Sequence, residues 1–248
     1  MTGDLEAANI AYRHPELYDQ LHADPGHAKA WIVEALIDAH GPAGARTLLD
    51  VGCGTGQDLE YLAKRFAVVG VDAQPRLVAY ARRVRPGLDL RVGDMRDLRL
   101  GRTFDTITCL GFALAYLHTT PELRAAFATF AAHAHPGTLL VLQTPVAPVP
   151  PGPPRTARVE VAGRPARVTT SYTWDLRTQT TTLHRRWEFD DGETATDHIQ
   201  RRVIFPRELE LHLNLAGFQL LDVFDDPADR SGTLTGPAAY ITARHLGS

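Results

Sequence analysis

Leu48-Leu49-Asp50-Val51-Gly52-Cys53-Gly54-Thr55-Gly56-Gln57 is the stretch whose reading decides the fold. A short apolar run, Thr47–Val51, leads into three glycines at alternating positions. Residues 57–66 then place Leu59, Leu62, Ala63 and Phe66 on one helical face. Glycines between a strand and a helix let the backbone turn with positive φ and let a ligand approach main-chain N–H groups closely. A dinucleotide site expects G-x-G-x-x-G, with a pyrophosphate at the helix N-terminus. Here the spacing is G-x-G-x-G, and Gln57 stands where the third glycine would fall. Asp50 precedes the turn by two residues, where a carboxylate repels a pyrophosphate but pairs with a cationic amino group. The stretch therefore favours an amino-acid-bearing nucleoside over NAD.

Working outward, strand and helix patterns alternate. Residues 67–71, 89–92, 106–110 and 138–143 read as strands, and 75–85 and 121–134 as helices. The second of these helices opens at Pro121 with Thr119 or Thr120 as cap. Apolar strands alternating with amphipathic helices predict a parallel sheet covered on both faces. Asp72 ends the second strand, where its carboxylate can accept both hydroxyls of a ribose. Gly93-Asp94-Met95-Arg96-Asp97 follows the third, so that Asp94 can accept an adenine amino proton while Met95 covers the ring. Upstream, 13–40 reads as two helices, with Leu17 and Leu21, then Trp31, Ile32, Ala35 and Leu36, at helical spacing. Downstream, PVAPVPPGPP at 145–154 is a stiff connection. Residues 157–204 alternate as three or four antiparallel strands, with a turn at Asp190-Asp191-Gly192. A helix over 206–216 and strands near 219–224 and 238–244 complete the chain.

Composition narrows the function classes. At 248 residues and 44% apolar, the chain can bury a substantial core, which excludes a disordered protein. Twenty-six basic against 29 acidic residues leave a formal charge of −3, without the basic excess of a nucleic-acid binder. Lys29 and Lys64 are the only lysines, a bias toward arginine consistent with high-GC, actinobacterial coding. Two cysteines, Cys53 and Cys109, are too few for a disulfide framework and lack zinc spacing, and no metal site is expected. The acidic start lacks the apolar segment of a signal peptide, and no apolar run reaches the roughly 18 residues of a membrane span. The expectation is a cytoplasmic protein with no membrane or nucleic-acid partner.

LDVGCGTG with its downstream VD and GDMRD resembles the class I S-adenosylmethionine (SAM)-dependent methyltransferases, over about residues 48–143. The resemblance implies an α/β, Rossmann-like seven-stranded sheet of order 3-2-1-4-5-7-6. Helices cover both faces, and an antiparallel insertion precedes strand 6. It divides the chain into an N-terminal helical cover (1–45), a SAM-binding core (46–144), an insertion roofing the substrate (145–205) and a C-terminal helix with the final strands (206–248). It also implies that Gly52, Cys53, Gly54 and Gly56 lie under the methionine moiety of SAM with Asp50 beside them. Asp72 and Ala73 then take the ribose, Asp94, Met95 and Arg96 the adenine, and Cys109 and Leu110 at the end of strand 4 touch the methionine end. Cys109 reads as an inert buried thiol, because methyl transfer needs no enzyme nucleophile.

Within that family, LYDQL, LLDVGCGTGQDLEYLAKRF, GDMRDLRLGRTFD and AYLHTTPELRAAFATFAAH resemble the N,N-dimethyltransferases of deoxyaminosugar-nucleotide biosynthesis and other small-molecule N-methyltransferases. Two substrate-side segments depart from the sugar enzymes. Gln143-Thr-Pro-Val146 stands where they have a Glu-Pro-Trp-Trp-like segment, and Asp229–Thr233 replaces a Gly-Pro-Ser-Gly-Arg-Gly-like loop. The expected activity is methylation of a small-molecule amine in secondary metabolism. An O-methyltransferase and a non-catalytic SAM-binding protein are the competing readings. His118 in Tyr116-Leu-His-Thr is the first candidate for a catalytic base, and its unperturbed pKa near 6.5 suits the task. Tyr12 and Tyr18 lie in the helical cover, Tyr12 as a cofactor contact and Tyr18, toward the acceptor, as the second catalytic candidate. In the insertion, Tyr172, Trp174, Trp187, His198 and Arg201 fall on strands roofing the pocket, where aromatic residues serve core or dimer packing more often than ligands. The exposed strands of the insertion suggest a homodimer.

Overall fold

The computed structural model describes residues 8–150, 152–161 and 163–247. The acidic start read above, Pro151 of the proline segment and Ala162 lie outside them. Strand β1 (Thr47–Val51) sits at the centre of a seven-stranded sheet, parallel to β2 (Ala67–Asp72) on one side and β4 (Phe104–Cys109) on the other. Its residues Leu48–Val51 are all buried, as a strand covered on both faces requires. The full order is β3 (Asp89–Val92), β2, β1, β4, β5 (Ala134–Pro145), β11 (Ala238–His245), β10 (Phe218–Phe224), with β11 antiparallel to both its neighbours. With the four insertion strands set aside, this is the order 3-2-1-4-5-7-6 implied by the resemblance.

Helices α3 (Ala28–His40), α4 (Gln57–Leu62) and α5 (Pro75–Val84) supply the core on one face. Helices α6 (Thr120–Ala132) and α7 (Pro206–Leu215) supply it on the other. Thr119 is the cap of α6, in a reciprocal box with Glu122. Helix α4 is shorter than 57–66, closing at Leu62 where 63–65 form a turn. The face of α3 also differs from the spacing read above. Ala30, Val33, Leu36 and Ile37 are buried, whereas Trp31 is 59% exposed.

The two helices read over 13–40 are present, and among the described residues a further turn precedes them. A single turn, α1 (Ile10–Arg13), precedes α2 (Pro15–Leu21), and Asn9 caps α1 through the Ala11 N–H. One turn is too short to announce itself by periodicity. The insertion is a separate four-stranded antiparallel sheet, β6 (Arg155–Val161), β7 (Arg164–Asp175), β8 (Thr180–Phe189) and β9 (Thr194–Arg202). Its inner face packs on the cover. Ile10, Ala11 and Leu17 meet Val161, Val168, Trp187 and Phe189 in a second apolar cluster. Buried Asp197 ties the two together, accepting from the Ile10 N–H at 2.7 Å and Trp187 Nε1 at 2.8 Å, with Arg185 Nε 3.0 Å away. Trp187 is thus a core residue. His198 points outward, where its Nδ1 lies 3.0 Å from that of His184.

Candidate active site

The glycine turn after β1 is held by its own amides, since the Gly52 and Cys53 N–H groups both donate to the Val71 carbonyl of β2. Gly52 and Gly54 have φ of +85° and +55°, the left-handed region that favours glycine. Both positions are also crowded. A Cβ on Gly52 would lie 2.4 Å from the Ala113 Cβ, and one on Gly54 would lie 2.8 Å from Tyr18 Oη. The tyrosine of the cover therefore rests directly on the turn.

A polar clasp explains why. Asp19 Oδ1 accepts from Thr55 Oγ1 at 2.5 Å and from Gln57 Nε2 at 2.7 Å. The Asp19 carbonyl accepts again from Gln57, and Arg85 bridges Asp19 to the Thr55 carbonyl. Gln57, which replaces the third glycine of a dinucleotide turn, is the donor that seats α2 over this one.

Beside the turn lies a cleft of about 1180 Å3, including its open mouth. Its lining draws one carboxylate from the end of each of the first three strands: Asp50, Asp72 and Asp94. Asp50 is buried, accepts a 2.7 Å bond from Thr108 Oγ1, and is pushed up to about 7 by its burial against that bond. Asp72 accepts from the Gly54 N–H and the Gln74 N–H, each at 2.8 Å, one on each oxygen. Burial raises its pKa while those two amides pull it back. Each oxygen keeps a lone pair for a ligand hydroxyl. Asp94 is already engaged. Arg96 Nε donates to its Oδ1 at 2.9 Å, holding the carboxyl below its ordinary range, and Arg96 also reaches Glu122 at 2.9 Å. The loop after β3 is thus tied to the start of α6, and an adenine amino group would share Asp94 with that arginine.

Tyr12, Cys53, Ala73, Met95 and Leu110 also line the cleft as expected. Gly54 and Gly56 shape the turn without lining the cleft, and Cys109 is buried behind Leu110. Burial drives the Cys109 thiol above its ordinary range, as an inert thiol requires. His118 is a correction. Its neighbour Leu117 lines the cleft, but His118 turns the other way, exposed, with Nε2 3.2 Å from the Gln200 carbonyl of β9. It joins the loop to the roof.

His22, Tyr116 and Gln74 are among the lining residues that escaped the sequence reading. His22 lies against Tyr18, ring centroids 4.4 Å apart and planes tilted by 44°, and desolvation pushes it down to about 4, so it is uncharged at neutral pH. Tyr116 comes from a 3-10 turn (Ala113–Tyr116), its ring centroid 6.1 Å from that of Tyr12. Gln74 is buried, and both its amide atoms lack partners among the described residues. The spacing of Gln74 from Asp72 was visible, but nothing local marks it as facing the cleft.

Comparison with known proteins agrees with this geometry. Residues 48–137 match a family described as a methyltransferase domain. The chain is 32% identical to SAM-bound CalS10 of Micromonospora echinaspora, an amino pentose methyltransferase involved in calicheamicin biosynthesis, covering 92% of this chain and 95% of that one with a TM-score of 0.76. Streptomyces venezuelae DesVI is 26% identical, over 93% of this chain and 97% of that one, with a TM-score of 0.78. The chain belongs to the class I SAM-dependent methyltransferases. Among curated proteins it is 42% identical, over 132 residues, to the dTDP-3-amino-3,6-dideoxy-alpha-D-glucopyranose N,N-dimethyltransferase of Streptomyces fradiae, matching 52% of this chain and 51% of that protein. The chain spans about half the length of the curated relatives it matches.

Proposed function

We propose that this protein transfers a methyl group from SAM to the amine of a small molecule in secondary metabolism. The observation that carries the reading is Asp72, half-buried at the end of β2 in the lining of the cleft, with one backbone donor on each oxygen. The lining fits the cofactor group by group. Asp50 offers a buried carboxylate to an ammonium, Asp72 takes a ribose diol, Met95 covers adenine, and the unpartnered Gln74 amide offers a further donor and acceptor. When bound, SAM supplies an already activated methyl group.

The chain's own task is then to hold, orient and exclude water. Tyr12 is buried and Tyr18 half-buried, and desolvation raises both phenols well above their ordinary range, so they stay protonated as hydrogen-bonding walls. His22, near 4, is a weak base. An alcohol or an ammonium must give up a proton before or during transfer. A neutral amine needs only positioning in line with the methyl carbon at near-attack distance. The similarity of the chain to N-methyltransferases supports nitrogen over oxygen as the acceptor atom. Incubation with SAM and a panel of amines and matching alcohols, read by S-adenosylhomocysteine release, tests this. Turnover confined to alcohols would refute it.

Two further results are expected. Pairing with an ammonium requires ionised Asp50, and its free-state pKa near 7 means that this proton must leave on binding. Affinity for S-adenosylhomocysteine should therefore fall as pH drops below about 7, by up to about tenfold per pH unit. Calorimetry at pH 6 in buffers of different ionisation enthalpy should show proton release, and Asp50→Asn should abolish it. His118→Ala should change kcat by less than about threefold, because His118 is exposed and lies outside the cleft. A steady-state assay showing a hundredfold loss would restore it as a base.

A further inference from the structure

The inner face of the insertion sheet continues past the helical cover toward the 3-10 turn, where one rung of its ladder is unusual. Antiparallel pairing sets Trp174 opposite Thr181 and Thr181 opposite Arg201. Directly opposed residues share a face, and adjacent strands lie about 4.8 Å apart, so the three side chains form one row. The row is on the face of Trp187 and Arg185, which alternate along the same strand with Thr181.

Two atoms of this row are buried and unpartnered. Thr181 is 7% exposed and its Oγ1 has no hydrogen-bond partner among the described residues, and Arg201 Nε is in the same condition. Arg201 also has no carboxylate partner among the described residues. Two nearby arginines do: Arg185 on this face meets Asp197, and Arg202, next on the strand and so on the other face, reaches Glu208. The guanidinium lies instead over the rings of Phe112 and Tyr116, 5.3 and 5.9 Å from their centroids. Its charge is felt in the cleft, acting on both Tyr18 and His22. Phe112 is itself held in the left-handed region at φ +67°, its N–H on the Gln143 carbonyl, while the Gly111 N–H donates to Gln143 Oε1. A bulky residue at positive φ is sustained only where its surroundings over-determine it, and such strain gathers at functional sites.

A half-buried cation without a carboxylate partner, its Nε buried and unpartnered beside an orphaned hydroxyl, gains when an anion fills the place. We propose that Arg201 and Thr181 bind an anionic oxygen group of the methyl acceptor, phosphoryl or carboxylate, with Trp174 as a flat wall beside it. The row would select amines that carry such a group at a distance from the reacting nitrogen. Arg230, in the loop that departs from the sugar enzymes, does not compete for this role: it lies over Phe224 and against His40. The proposal rests on reading the cleft as a methyl-transfer site.

The protein is saturated with S-adenosylhomocysteine and its indole N–H resonances are followed by NMR, with Trp174→Phe giving the assignment. Inorganic pyrophosphate and malonate are added in separate titrations. The Trp174 signal should move with at least one of them, and the exposed Trp31 signal should not. Response to pyrophosphate alone assigns a phosphoryl group, and response to malonate alone assigns a carboxylate. Arg201→Gln should weaken the apparent affinity about tenfold or more, as expected for a lost charge-assisted pair. Arg201→Lys should weaken it less, and S-adenosylhomocysteine affinity should be unchanged in both. A Trp174 signal indifferent to both anions, or an equal response in Arg201→Gln, overturns the proposal. Failure of wild-type protein to bind S-adenosylhomocysteine overturns the methyl-transfer reading instead.

Discussion

Asp72→Ala is expected to lower affinity for S-adenosylhomocysteine by roughly 100-fold or more. Two charge-assisted hydrogen bonds to a ribose diol, at about 1.5–3 kcal/mol each, supply at least about 3 kcal/mol. Each 1.4 kcal/mol corresponds to about a factor of ten. The substitution also strips the acceptors from the Gly54 and Gln74 N–H groups, which the carboxylate holds at 2.8 Å, so the turn loses one of its fastenings to β2. Asp72→Asn, which keeps one oxygen, should fall between wild type and alanine. Titration calorimetry reads both. An alanine variant within threefold of wild type would remove Asp72 from the site.

The second large effect concerns stability. Asp197 is fully buried between the cover and the insertion, and three donors converge on it. Asp197→Ala leaves the Ile10 N–H and Trp187 Nε1 unpaired and the Arg185 guanidinium, which also reaches Asn9, without its counter-charge. Breaking a buried pair by removing one partner destabilises by about 3–5 kcal/mol. The urea midpoint, followed by the fluorescence of buried Trp187, should fall clearly, and α1 should become protease-sensitive before the main sheet does. Asp197→Asn should recover part of the loss. An unchanged midpoint would mean that the apolar cluster around Trp187 holds the cover by itself.

The parts of this fold legible in the sequence are those set by local chemistry. Strand, glycine turn and helix announce themselves over 47–62, because positive-φ glycines and apolar runs are short-range signals. Asp72 could be placed because it ends a fully apolar strand. What was not legible depends on contacts distant in the chain. The Asp19 clasp joins residues from α2, the glycine turn and the end of α5, and none of them carries a signature of its own. His118 follows two left-handed residues, Gly111 and Phe112, and a 3-10 turn, so its direction cannot be counted from β4. Asp94 was placed correctly in the cleft, but the pairing that Arg96 imposes on it was not anticipated. Trp31 keeps helical spacing on a face that turns to solvent, since periodicity marks a stripe without saying which neighbour covers it.

The most direct test of the central claim is transfer of an isotopically labelled methyl from SAM to dTDP-3-amino-3,6-dideoxyglucose and to simpler phosphorylated or carboxylated amines, followed by mass spectrometry. The account predicts label on the acceptor nitrogen with one S-adenosylhomocysteine formed per methyl transferred. Label found on a hydroxyl oxygen, or SAM bound and left intact with every amine supplied, would contradict it.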